Sequence, residues 1–344
     1  MTTPAVTDVA IIGAGPIGLF AVFQCGMLGF RTHVIDVLDA PGGQCTALYP
    51  EKPIYDIPGY PAISGSELID KLLEQAAPFA PTYHLGHPVL KLEPLGPGPN
   101  GVNRGWQLEL AGGTKIAARA VIVAGGTGAF GPVRLPLANV AEFEGKSLFY
   151  LVRRKSDLAG KRVVIAGGGD SAVDWALALA GIASKIYVVH RRDKFRAAPE
   201  SVRKMQELVA AGVIDMVVPY QMSGLVGANG HLTEAKVATL DGAEKSIPAD
   251  VVLAFFGLVN NLGPIADWGL TLDQSHIVVR PDTCATNLPG VFAAGDIATY
   301  PNKLKLILSG FAEVAQAAHA IHPIIHPDKA LHFEYSTSKG KPGA

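Results

Sequence analysis

Asp8-Val-Ala-Ile-Ile-Gly13-Ala-Gly15-Pro-Ile-Gly18 states the organising motif of the chain, and Arg162-Val-Val-Ile-Ala-Gly167-Gly-Gly169-Asp-Ser-Ala172 repeats it. Each copy begins with a short apolar run that reads as a buried strand and passes through a glycine-rich turn into an apolar helix. The helices are expected to end near Leu28 and Ala180, and each is followed by a second strand, His33-Val-Ile-Asp36 and Ile186-Tyr-Val-Val-His190. A glycine loop alone is a weak signal, but one set between strand and helix with a follow-up strand is the context that marks a dinucleotide site. Gly13, Gly15 and Gly18 in the first copy, and Gly167 and Gly169 in the second, let the backbone turn tightly and approach a pyrophosphate at a helix N-terminus. Ala172 takes the third position, where helix meets strand and a methyl group is tolerated. The fold class is therefore α/β, with two Rossmann-like three-layer domains.

The copies differ at the residue that meets the adenosine ribose, 23 positions after the first glycine in each. The first copy has Asp36, a carboxylate able to accept hydrogen bonds from both hydroxyls of an unphosphorylated ribose, as in FAD or NAD. The second has His190 followed by Arg191, Arg192 and Arg196. Guanidinium groups pair with phosphate oxygens as a fork, so this loop is expected to take a 2′-phosphate and to favour NADPH over NADH. A solvated basic turn is the plainer alternative.

Bulk properties narrow the classes. The 344 residues suffice for about two domains. A net charge of -1 gives no overall field toward nucleic acid or anionic membrane, so neither is an expected partner. Met1 to Thr7 has no basic region and Asp8 interrupts the following apolar run, which argues against a signal peptide. No stretch approaches the roughly 18 apolar residues of a membrane span, and a cytoplasmic location is expected. Cys25, Cys45 and Cys284 lie far apart, with neither a C-x-x-C pair nor a zinc spacing, and read as reduced and structural. His319, His322, His326 and His332 straddle Pro323 and Pro327 without cysteine or paired carboxylate, so no metal site is expected. Arg153-Arg154-Lys155 is either a docking patch for an acidic partner or a solvated face.

Further motifs resemble the thioredoxin-reductase-like flavoproteins over nearly the whole chain. Gly42-Gly-Gln44 follows Asp36 closely, and Thr286-Asn-Leu-Pro-Gly-Val-Phe-Ala-Ala-Gly-Asp296 is similar to the late FAD motif of that group. The resemblance implies FAD on the first loop, with Asp296 on its ribityl chain; Asp296 is also placed to cap a helix starting at Ile297. Ala124-Gly-Gly126 resembles the crossing between domains. An FAD domain is thus expected at 1–126 and 257–344, with the NADPH domain, 127–256, inserted in it and a tail, 323–344, covering the flavin.

Three absences and one presence narrow the group. Phe143 to Lys161 holds no cysteine, which excludes thiol–disulfide exchange through the C-x-x-C that thioredoxin reductases carry there. The Baeyer–Villiger monooxygenase motif fails because Phe149 stands where its histidine would be, and Cys45 has no partner at C-x4-C spacing. By contrast, Gly42-Gly-Gln-Cys-Thr-Ala-Leu-Tyr-Pro-Glu-Lys-Pro-Ile-Tyr-Asp-Ile-Pro-Gly-Tyr-Pro61 and the late Tyr335-Ser-Thr-Ser338 are similar to segments of bacterial ferredoxin/flavodoxin–NADP reductases of the thioredoxin-reductase-like type (type 2). That resemblance implies Tyr49 stacked on one flavin face and Tyr335 on the other, acting without acid or base. It also implies Gln44, Val89, Phe130 and Thr337 as FAD contacts, ferredoxin or flavodoxin as acceptor, and a homodimer. Two readings compete with it: an NADPH-dependent flavin reductase acting on a quinone or other small acceptor, and a non-catalytic FAD/NADPH-binding sensor.

Overall fold

The computed structural model describes residues 4–97 and 104–331, with 129–132 and 258–260 as backbone only. The chain forms two compact units, Met1–Phe130 with Asn260–Ala344, and Gly131–Val259 inserted between them. The breaks fall at 130/131 and 259/260, a few residues beyond the glycine-rich crossing expected near Gly126.

In the first unit, parallel strands Thr82–His84, Thr32–Ile35, Ala5–Ile12 and Lys115–Val123 lie side by side in that order. The first half of Lys115–Val123 pairs antiparallel with Trp106–Leu110, and its last residues pair in parallel with Val291–Ala293. Alternation along Ala5–Ile12 explains the layers, because successive side chains of a strand point to opposite faces. Val9 and Ile11 pack with the helices Pro16–Met27 and Ile307–Ile325, whereas Ala10 and Ile12 pack with Trp106, Leu108 and Ile116. Each large apolar side chain fully buried in this way contributes about 1.5–3 kcal/mol.

The second unit repeats the scheme. Strands Leu148–Phe149, Val251–Ala254, Arg162–Ala166, Lys185–Val189 and Ile214–Val217 form a parallel sheet in that order. Val163 and Ile165 face the helix Asp170–Leu179, while Val164 and Ala166 face an antiparallel meander, Gln221–Ala228, His231–Ala238 and Glu244–Pro248. Both units are thus the three-layer α/β architecture expected from the repeat.

Three local expectations need correction. The first strand begins at Ala5, before Asp8, because residues 5–7 pair with Ile116, Ala117 and Ala118, partners that local sequence does not reveal. The last helix runs through Pro323 to Ile325, so the expected tail starts later than 323. Arg119 donates to the carbonyls of Ile324 and Ile325, supplying the partners that the final turn otherwise lacks. Asp296 does not cap a helix, since the short 3-10 turn Gly295–Ile297 starts before it and is capped by Ala294.

Among the described residues no helix is long and apolar enough to cross a membrane. All three cysteines are free and buried. No three His, Cys, Asp or Glu side chains among the described residues gather as a metal site.

Candidate functional site

Each unit carries one glycine loop at the carboxyl end of its central strand, where open α/β sheets place ligands. In the first unit Gly13 has φ +112°, and a Cβ there would lie 2.3 Å from the carbonyl oxygen of Ala124. At Gly18 a Cβ would come 1.8 Å from the carbonyl oxygen of Gly13. These two glycines close the turn. Gly15 differs: it precedes the helix Pro16–Met27, and among the described residues a Cβ would meet nothing nearer than the Cα of Gly43 at 3.9 Å. The first turn of that helix holds no acidic side chain, so the open space lies at an uncompensated positive helix end that fits a pyrophosphate.

Asp36 stands one residue beyond the strand Thr32–Ile35 and turns its carboxylate to the loop. It accepts the Ala14 N–H at 2.5 Å and the Leu38 N–H at 2.8 Å. Burial pushes its pKa up, and the backbone donors of Ala14, Leu38 and Val37 oppose that shift. The Gly42 N–H donates to the Ala14 carbonyl at 2.8 Å, and Gln44 Nε2 donates to Thr127 Oγ1 at 3.0 Å, so the segment after Asp36 folds back over the loop.

Tyr49 is half-buried beside Cys45, whose thiol points to the Tyr49 hydroxyl at 3.9 Å. Burial raises the pKa of both groups, that of Cys45 to about 11, and the negative charge of Asp296 adds to the rise in each. The fold therefore brings Gln44, Cys45, Tyr49 and Asp296 into one neighbourhood from opposite ends of the chain. The Val89 side chain is packed in the core, leaving its main chain as the part that can meet a ligand. The Phe130 side chain, Tyr335 and Thr337 lie outside the described residues.

The sequence reading missed the group behind Asp296. Glu313, on the helix Ile307–Ile325, accepts the Gly295 N–H at 2.7 Å and the Tyr300 hydroxyl at 2.8 Å, and pairs with the Lys303 ammonium. The Lys303 and Glu313 side chains are 5% and 3% exposed, a buried ion pair. Glu313 is the lone acid in a mainly apolar helix, which is the only local trace of its role.

In the second unit Gly167 has the Phe255 carbonyl oxygen 2.6 Å from where a Cβ would stand. A Cβ on Gly168 would fall 2.2 Å from the His190 ring. Gly169, the residue before the helix Asp170–Leu179, has no atom of the described residues within 4 Å of its absent Cβ. Ala172 is fully buried against the loop, 3.2 Å from the ideal Cβ of Gly167.

The segment after His190 is bound to this loop by main chain. The Arg196 N–H donates to the Gly168 carbonyl at 2.7 Å, and the Ala198 N–H donates to Asp170 Oδ1 at 3.0 Å. The His190 and Phe195 rings meet with centroids 5.0 Å apart. Burial lowers the pKa of His190; a main-chain hydrogen bond with Lys194 opposes this, and the charges of Arg191, Arg192 and Arg196 reinforce it. Those three arginines are exposed and form no ion pair among the described residues. A cluster of uncompensated guanidinium groups around an open glycine turn fits a phosphorylated ribose.

The pyridine nucleotide-disulphide oxidoreductase family matches residues 7–321. A thioredoxin reductase of T. acidophilum superposes with a TM-score of 0.77 at 26% identity, over 92% of this chain and 98% of that one. A ferredoxin–NADP reductase of Paramagnetospirillum magneticum is 59% identical over 336 residues, 98% of each chain. Another, from Gluconacetobacter diazotrophicus, is 60% identical over 337 residues, covering 98% of this chain and 97% of that protein. This chain belongs to the pyridine nucleotide-disulphide oxidoreductases and, within them, to the ferredoxin–NADP reductases.

Proposed function

We propose that the protein transfers electrons between NADPH and ferredoxin through FAD held on the Gly13–Gly18 loop. The observation that carries this reading is the inequality of the two loops, acid-terminated at Asp36 and arginine-lined at Arg191, Arg192 and Arg196, in a chain of this family. When bound, FAD supplies a hydride acceptor that can return its electrons singly.

The protein's own groups bind and orient. Gly13, Gly15 and Gly18 admit the pyrophosphate, Asp36 takes the adenosine ribose, and Gln44, Val89, Phe130, Asp296 and Thr337 serve the rest of the cofactor. Tyr49 and Tyr335 would flank the flavin ring, Tyr335 moving aside to admit the nicotinamide; hydride transfer would require no acid or base from them. Gly167, Gly169 and Ala172 seat the pyrophosphate of NADPH, while His190, Arg191, Arg192 and Arg196 select its 2′-phosphate. In this reading 1–126 with 257–344 is the FAD domain and 127–256 the NADPH domain. Flavodoxin is a second one-electron acceptor suited to the same chemistry, and Arg153, Arg154 and Lys155 are a candidate patch for an acidic partner. A cytoplasmic homodimer completes the proposal, and light scattering checks the dimer.

The test is anaerobic titration with NADPH at the flavin absorbance, followed by a ferredoxin-coupled cytochrome c assay run beside quinone acceptors. Stoichiometric bleaching with ferredoxin-dependent turnover is expected. No bleaching would favour a sensor, and turnover with quinones alone a different reductase.

A further inference from the structure

Glu313 is the lone acid of a mainly apolar helix and is only 2% exposed. A buried carboxylate is strongly unfavourable unless donors meet its oxygens and an opposite charge balances it. Here the donors are the Gly295 N–H, the Tyr300 hydroxyl and the Lys303 ammonium, all on the segment 295–303, in which the strand Ala298–Thr299 pairs with Ile277–Val278. One side chain therefore pins both ends of that segment, and the segment's second residue is Asp296. The approach is close: Gly295 holds φ +78°, and a Cβ on Gly310, one turn before Glu313, would lie 2.4 Å from Ile17 Cδ1 and 3.4 Å from the Gly295 Cα.

Apolar side chains of similar volume commonly replace a buried ion pair without loss of stability, so packing alone does not call for these charges. The carboxylate offers something an apolar group cannot, a fixed acceptor for the N–H immediately before Asp296.

We propose that Glu313, with Lys303 as its counter-charge, is a positioning residue for the flavin, acting through the Gly295 N–H to aim the Asp296 carboxylate at the ribityl hydroxyls. This rests on the reading of Asp296 as an FAD ligand. Glu313 itself touches no cofactor in this scheme; it sets affinity through the main chain.

The test compares two double variants of the holoprotein, Glu313→Gln with Lys303→Met and Glu313→Leu with Lys303→Met. Both remove the charges, but only the first keeps an acceptor for Gly295. The FAD dissociation constant is read from flavin fluorescence released on dilution, and melting is followed by circular dichroism in excess FAD. The leucine variant is expected to bind FAD about tenfold or more weakly than the glutamine variant, and to melt a few degrees lower because the Gly295 N–H is left buried without a partner. That difference should vanish when Asp296→Ala is added to both. Equal FAD affinities, or a difference that persists undiminished in the Asp296→Ala background, overturn the proposal. Unchanged FAD affinity in Asp296→Ala alone removes the ribityl reading, and the proposal with it. Should a double variant not fold, Glu313→Asp is set against the native protein, since it keeps the charge and withdraws the acceptor by one methylene. Weaker FAD binding at unchanged melting supports the proposal, and native affinity overturns it.

Discussion

Arg191 and Arg192 are exposed and without ion pairs among the described residues, so removing them should disturb folding little and cofactor choice greatly. The variant Arg191→Ala with Arg192→Ala is expected to lose about 10- to 100-fold in kcat/KM for NADPH, the range for charge-assisted hydrogen bonds, while NADH changes by less than about threefold. Equal losses for both nucleotides would sink the 2′-phosphate assignment. A second residue-scale expectation concerns acid stability. Asp250 accepts from the Arg162 N–H at 2.8 Å and pairs bidentately with its guanidinium, which holds the Asp250 carboxyl below its ordinary pKa of 3.8. A depressed acid stabilises the fold above its unfolded pKa, and that stability is lost as pH falls through the folded value. Both side chains are more than a third exposed, so solvent screens the pair and its contribution is small. Urea unfolding of Asp250→Asn should show a small deficit at neutral pH, and the deficit should shrink as pH falls from about 5 to about 3. A deficit independent of pH would mean the pair acts by packing.

At the scale of elements, the two strand–loop–helix units separate glycines that close a turn from glycines that face a ligand. A methyl group on Gly18 would sit 1.8 Å from the Gly13 carbonyl oxygen, whereas one on Gly169 would meet nothing within 4 Å among the described residues. Gly18→Ala is therefore expected to yield no folded, FAD-bound protein. Gly169→Ala should melt within about 2 °C of the native protein, because Gly169 already has the extended backbone an alanine adopts. Its affinity for NADPH should nonetheless fall by about tenfold or more, since the methyl fills the space the pyrophosphate needs. Calorimetry and nucleotide titration check the two halves. These loops, with Asp36 and His190 one residue past their second strands, were readable from sequence because strand, turn and helix are contiguous and their spacing is set by local geometry. Glu313, Tyr300 and Lys303 were not, because their meeting with Gly295 depends on how a distant helix packs. The strand end at Ala5 was missed for the same reason, as its partners lie more than a hundred residues away. Asp296 was found by motif, yet the surroundings that give it meaning, the charge it casts on Cys45 and Tyr49, belong to tertiary structure.

For the whole molecule, the repeat implies two separate folding and binding economies on one chain. The second unit is a continuous stretch, 131–259, with its own parallel sheet, its own meander and two apolar clusters. The first is assembled from both ends of the chain around Lys115–Val123, which joins the amino-terminal strands to Val291–Ala293. A ligand that binds only the folded state stabilises what it binds by mass action, about 2.7 kcal/mol at a hundred times its dissociation constant. The fragment 2′,5′-ADP carries the phosphorylated ribose of NADPH but no nicotinamide, so its contacts are confined to the second loop and the arginine cluster. Hydrogen exchange measured with and without it should slow for amides of the strand Arg162–Ala166, the Gly167–Ala172 turn and the 190–198 segment, whose main chain is tied to that turn by Arg196 and Ala198. Amides of Ala5–Ile12 and Pro16–Met27 should be unaffected, because the fragment offers nothing to the Asp36 loop. Protection of the first glycine loop instead of the second would reverse the assignment of the two sites, since the acid that suits an unphosphorylated ribose would then be holding the phosphorylated one.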